Sequence, residues 1–143
     1  MRAVLDTNVL ISALLSPTGS PAHALLAWQQ GQFELIVSPQ LLAEMKLVLA
    51  YPKLRRRIAG DEAERVIEWL GRAATVATDP TGPPPVESAD PADDYLLTLA
   101  AAERAVLVSG DDDLLALRDR LPIHSPASFL DMLAESPGSG AAG

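Results

Sequence analysis

Acids fall at recurring boundaries in this chain. Asp6 closes the apolar run Ala3-Val4-Leu5, and Glu44 lies on a helical stretch. Asp93 and Asp94 stand together, and Asp111, Asp112 and Asp113 follow the apolar run that ends at Val108. Several carboxylates drawn into one cleft repel and cannot all stay ionised unaided. A hard divalent cation resolves this, and Mg²⁺ or Mn²⁺ prefers oxygen ligands and keeps bound water. Such a centre can activate water against a phosphodiester or neutralise the leaving oxygen. Each acid also has an ordinary structural role open to it. Asp6 would cap a following helix. Asp93-Asp94 and Asp111 to Asp113 fit first turns of helices, where the macrodipole favours negative charge. All of these groups at such boundaries favour a metal site in a way that no single one does.

The acids can converge only if the chain between them builds a parallel sheet, which delivers strand ends to one edge. The hydrophobic pattern predicts one. Ala3 to Leu5, Glu34 to Val37, Thr75 to Thr78, Ala105 to Val108 and a minimal strand at Ile123 read as strands, short and continuous as buried strands are. Between them lie the apolar run Val9 to Leu15 and helices over 22–30, 39–50, 61–73, 90–103 and 114–118, with a last one ending at Glu135. Ser38-Pro39 and Ser125-Pro126 are start signals, an N-cap serine with proline at the first helical position. Leu41, Leu42, Met45, Val48 and Leu49 form an apolar stripe, and Glu44 sits at its edge. Alternation of this kind predicts an α/β fold: a single-domain three-layer α/β/α sandwich over 1–135 with a mostly parallel central sheet. The Gly/Ala/Ser-rich stretch 136–143 reads as a disordered tail.

Composition narrows the chemistry. The chain has 143 residues, 48% of them hydrophobic, and no cysteine. Disulfides, thiolate metal sites and a cysteine nucleophile are excluded. His23 has no second histidine nearby and reads as a surface or interface side chain rather than a ligand. No apolar run reaches membrane-span length and no signal-peptide pattern opens the chain, so a soluble, cytoplasmic protein without membrane contact is expected. The net charge of −8 argues against a general electrostatic grip on nucleic acid. The seven acids named above account for all but one unit of that charge, so the imbalance is concentrated. Lys53-Leu54-Arg55-Arg56-Arg57 is the densest cationic run. Arg55, Arg56 and Arg57 are candidates for phosphate contact, against the ordinary alternative of a solvated face.

Val4-Leu5-Asp6-Thr7-Asn8-Val9-Leu10 resembles the opening of the PIN domain. Val108-Ser109-Gly110-Asp111-Asp112-Asp113-Leu114-Leu115 resembles its last block, and Asp90-Pro91-Ala92-Asp93-Asp94 before an apolar helix resembles its third. The likeness spans roughly Arg2 to Leu133, and the subgroup is similar to the VapC-like bacterial toxins of toxin–antitoxin pairs. It implies a Mg²⁺- or Mn²⁺-dependent ribonuclease with Asp6 and Asp94 as metal ligands and Glu44 and Asp111 completing an acidic quartet. Asn8 and Ser109 would orient the carboxylates, and Asp113 would be a further rim acid or a helix cap. The block between Asp94 and Asp111 is one residue shorter than the family pattern, which leaves Asp93 as the alternative to Asp94. RNA, a protein antitoxin and a second copy of the chain, as a homodimer, are the expected partners.

Other acidic α/β sites fit less well. A phosphoacceptor receiver domain needs a paired acid after its first strand and a late lysine, whereas the only lysines here are Lys46 and Lys53. A haloacid-dehalogenase phosphatase needs Asp-x-Asp, and Asn8 stands in the second place. The stronger rival is a PIN-like binding module without turnover, since intact ligands do not prove catalysis.

Overall fold

Ala3, Val4 and Leu5 are buried to within 1% of full enclosure, as are Leu35, Ile36 and Val37. Strands this apolar demand cover on both faces. The computed structural model describes residues 1–135; the tail expected over 136–143 lies outside the described residues. In chain order the elements are β1 (Arg2–Leu5), α1 (Thr7–Leu15), α2 (Ser20–Gln29), β2 (Glu34–Val37), α3 (Pro39–Leu49), α4 (Pro52–Arg55) and α5 (Gly60–Ala73). Then come β3 (Thr75–Val76), a 3₁₀ turn (Pro91–Asp93), α6 (Asp94–Ala102), β4 (Val106–Val108), α7 (Asp112–Leu115), β5 (Ile123–His124) and α8 (Pro126–Glu135).

The five strands form one sheet in the order β3-β2-β1-β4-β5, and every pairing is parallel. The sheet is therefore wholly rather than mostly parallel. Crossovers toward β2 and β3 run one way and those toward β4 and β5 the other. Because such connections are right-handed, they place helices on opposite faces. Phe33 and Phe129 meet edge to face at 4.9 Å, packing α8 against the approach to β2.

The helix start signals act as expected. Ser38, fully buried, accepts the Leu41 N–H at 3.2 Å, and Ser125 accepts the Ser128 N–H at 3.1 Å. Other boundaries moved. α3 ends at Leu49, and the short α4, for which no helix was expected, starts at Pro52 with proline in its first turn. The last acidic helix stops at Leu115 rather than Arg118. β3 ends at Val76, although the Ala77 N–H still reaches the Val37 carbonyl at 2.8 Å. Opposite the acids, Arg2 clamps the N-terminal sheet edge, contacting Glu34 and Glu103 at 3.1 Å each. No single helix among the described residues is long and apolar enough to cross a membrane.

Candidate functional site

The C-terminal ends of β1 and β4 lie side by side. Their ladder continues one residue past β1, through the Asp6 N–H to the Val108 carbonyl at 2.9 Å. Here the strand order changes direction, between β1 and β4, and open parallel sheets bind ligands in the crevice at such a point. Asp6 sits there at 4% exposure. Ser109, fully buried, donates its hydroxyl to Asp6 Oδ2 at 2.8 Å and accepts the Asp111 N–H at 3.0 Å. One serine thus ties the loop after β1 to the loop after β4. Asp6 Oδ1 also accepts the Asn8 N–H at 3.4 Å, so Asp6 caps α1 as well as standing at the sheet edge. That contact comes from the Asn8 backbone. Burial pushes the Asp6 carboxyl above its usual range. The bonds from Ser109 and Asn8 oppose the shift, and the charge of Asp111 adds to it.

Asp93 turns toward the same point from the 3₁₀ turn. Its pKa is raised to about 7, first by partial burial and then by a hydrogen bond with Asp111 and the negative charges of Asp6, Asp111 and Asp90. Asp94 is engaged differently: its Oδ1 accepts the Ser88 N–H at 2.9 Å and anchors the connection arriving from β3. Asp111 accepts the Asp113 N–H at 3.3 Å and so caps α7, with exposed Asp112 and Asp113 in that helix's first turn.

Glu44, half-buried on α3, accepts the Tyr95 hydroxyl through Oε2. Burial, the Glu44 hydrogen bond and the charges of Glu44 and Asp6 all raise the Tyr95 phenol, while Thr7 pulls it back. Thr7 Oγ1 is buried beside that phenol without a hydrogen bond of good geometry. Neither Tyr95 nor Thr7 stands out in the sequence pattern. The available signal was Tyr95 four residues before Leu99, which puts a polar-tipped aromatic on the inward face of α6.

Arg55, Arg56 and Arg57 are exposed. Arg57 Nη2 donates to the Leu15 carbonyl at 3.4 Å, at the end of α1 away from Asp6. At 1.5 Å per residue, α1 places that contact roughly 13 Å from the acids. Beside Asp111 a shallow cleft opens, lined by Asn8, Ser12, Pro21 and Gly110.

Among the described residues, no three acidic or histidine side chains are already closed around one point as a metal would hold them. The residues present nevertheless suit a hard cation. Every side-chain donor is oxygen, Asp6 and Asp93 carry raised pKa values that a cation would relieve, and the buried Thr7 hydroxyl lacks a partner.

A parallel five-stranded sheet with acids at its switch point is the arrangement of a PIN-type protein. The PIN domain family model matches residues 2–113, and the chain belongs to the PIN domain family, whose members are typically nucleases that use divalent metal ions. An archaeal relative, "Uncharacterized protein MJ1680" of Methanocaldococcus jannaschii, is 30% identical, covering 92% of this chain and 90% of its own length. The crystal structure of PAE2754 from Pyrobaculum aerophilum is similar in fold, with a TM-score of 0.62 at 20% identity, over 95% of this chain and 91% of that one.

Proposed function

We propose that the protein is a Mg²⁺- or Mn²⁺-dependent endoribonuclease that hydrolyses RNA phosphodiesters at the acidic cluster. The observation that carries this is the buried Asp6, keyed by Ser109 to the Asp111 backbone, with the Asp93 carboxyl crowded by the charges of both acids. A divalent ion held there would neutralise developing charge and make water a better nucleophile at neutral pH. Asp6, Asp93 and Asp111 are the residues assigned to hold it, with Glu44 as the fourth acid at the edge. Asp93 is preferred to Asp94 because the charges of Asp6 and Asp111 act on its carboxyl, whereas Asp94 Oδ1 accepts the Ser88 N–H. Ser109 orients Asp6 and the Asp111 backbone together. Asp113 stays a helix-start acid at the rim.

The cleft through Asn8, Ser12 and Gly110 offers the RNA strand a path to the acids. Arg55, Arg56 and Arg57 supply phosphate contact at the far end of α1, without reading bases. In the finer form of this proposal the chain is the toxin of a toxin–antitoxin pair, acts as a homodimer and is restrained by a protein antitoxin. The likeness of the Asp6 and Asp111 blocks to VapC-like proteins supports that form.

The test is cleavage of a mixed RNA pool by purified protein with Mn²⁺, with Mn²⁺ plus chelator, and by Asp6→Asn. Internal cuts only with wild type and free Mn²⁺ are expected. Intact RNA under all three conditions would leave a PIN-like binding module without turnover.

A further inference from the structure

We propose that Tyr95 is a positioning residue for Glu44, fixing from α6 an acid that α3 alone leaves free to swing. This rests on the metal-dependent nuclease assigned above. The other acids have anchors of their own: Ser109 holds Asp6, and Asp111 caps α7. Glu44 comes from another element on a longer side chain, with more rotamer freedom to lose. Its anchor is the Tyr95 hydroxyl, donated to Glu44 Oε2. A tyrosine suits the task because its ring has few rotamers to lose and its hydroxyl can donate and accept at once. Its ring is half-buried at the start of α6, directly after Asp93 and Asp94. One helix start therefore sets the Asp93 carboxylate and, through Tyr95, the Glu44 carboxylate.

Thr7 completes the arrangement from the β1 side. Its buried hydroxyl lies beside the phenol and next in sequence to Asp6. A small rotation lets Thr7 donate to the phenol oxygen, which leaves the phenol proton committed to Glu44. Partners that orient metal-site carboxylates typically cost 10- to 100-fold in metal affinity or activity when removed. A ring that only filled space would be replaced by phenylalanine without loss.

The test is a double-mutant cycle of Tyr95→Phe and Glu44→Gln. Urea unfolding in chelator checks the contact without metal or RNA, and the two substitutions should be non-additive. Mn²⁺ titration by calorimetry should show Tyr95→Phe weakening binding about tenfold in wild type and hardly at all in the Glu44→Gln background. RNA cleavage by Tyr95→Phe should lose kcat with KM within about twofold, as for a group acting on the reacting centre rather than on RNA binding. Additive unfolding energies, or equal Mn²⁺ affinity in wild type and Tyr95→Phe, would overturn the inference while wild-type cleavage left the nuclease assignment standing. A wild type that neither binds Mn²⁺ nor cleaves RNA would overturn both.

Discussion

Asp93 shows what crowding does to a single carboxyl. Its pKa is raised to about 7 in the fold, against about 3.9 for a free aspartate. The folded state therefore binds this proton more tightly than the unfolded one. Its contribution to stability is complete below the unfolded value and is lost as pH rises through about 7. Metal-free protein should accordingly unfold at lower urea at pH 8 than at pH 5.5. Asp93→Asn should flatten that difference, and Mn²⁺ should restore stability at pH 8. Unfolding midpoints that do not respond to Asp93→Asn would contradict the assignment. Ser109 makes a second case. Ser109→Ala removes the donor to a buried carboxylate, which should cost about 2 kcal/mol in urea unfolding at neutral pH. The types of the acids and their boundaries were legible in the sequence. Which of two adjacent aspartates turns inward was not, because a 3₁₀ turn over Pro91–Asp93 sets that rotation.

At the scale of elements, local chemistry wrote most of the starts. Ser38 and Ser125 cap α3 and α8 as their Ser-Pro pairs predict. Ser38→Ala should destabilise by about 1 kcal/mol in thermal or urea unfolding. Where local signals conflicted, the sequence misled. No helix is expected after Pro52, yet Pro52–Arg55 form the short α4; Arg55, Arg56 and Arg57 are exposed, as in a solvated run, and Arg57 reaches back to the end of α1. Arg104 ends the turn between α6 and β4 at φ 52°, in the left-handed region where glycine is unstrained. Arg104→Gly should therefore stabilise by about 1 kcal/mol, less whatever glycine gains in the unfolded chain. Tyr95 was missed because periodicity counts apolar positions and passes over a hydroxyl whose partner lies on another helix.

Across the whole molecule, alternation of strand and helix made the parallel sheet legible, while neighbour order was not written locally. Placing β1 between β2 and β4 brings residues 6 and 111 together. It also concentrates acids at one edge of a chain with net charge −8. On the ribonuclease reading proposed above, the cations that hold RNA would lie elsewhere. Replacing Arg55, Arg56 and Arg57 together by Gln should weaken RNA binding across sequences and flatten its salt dependence, with Mn²⁺ binding intact. The central claim is that the acids after β1 and β4 form one divalent-metal centre. Calorimetric titration of Mn²⁺ into folded wild type and folded Asp6→Asn at neutral pH tests it most directly. Saturable binding by wild type that Asp6→Asn abolishes is the predicted result; no binding by wild type, or equal binding by both, would contradict it.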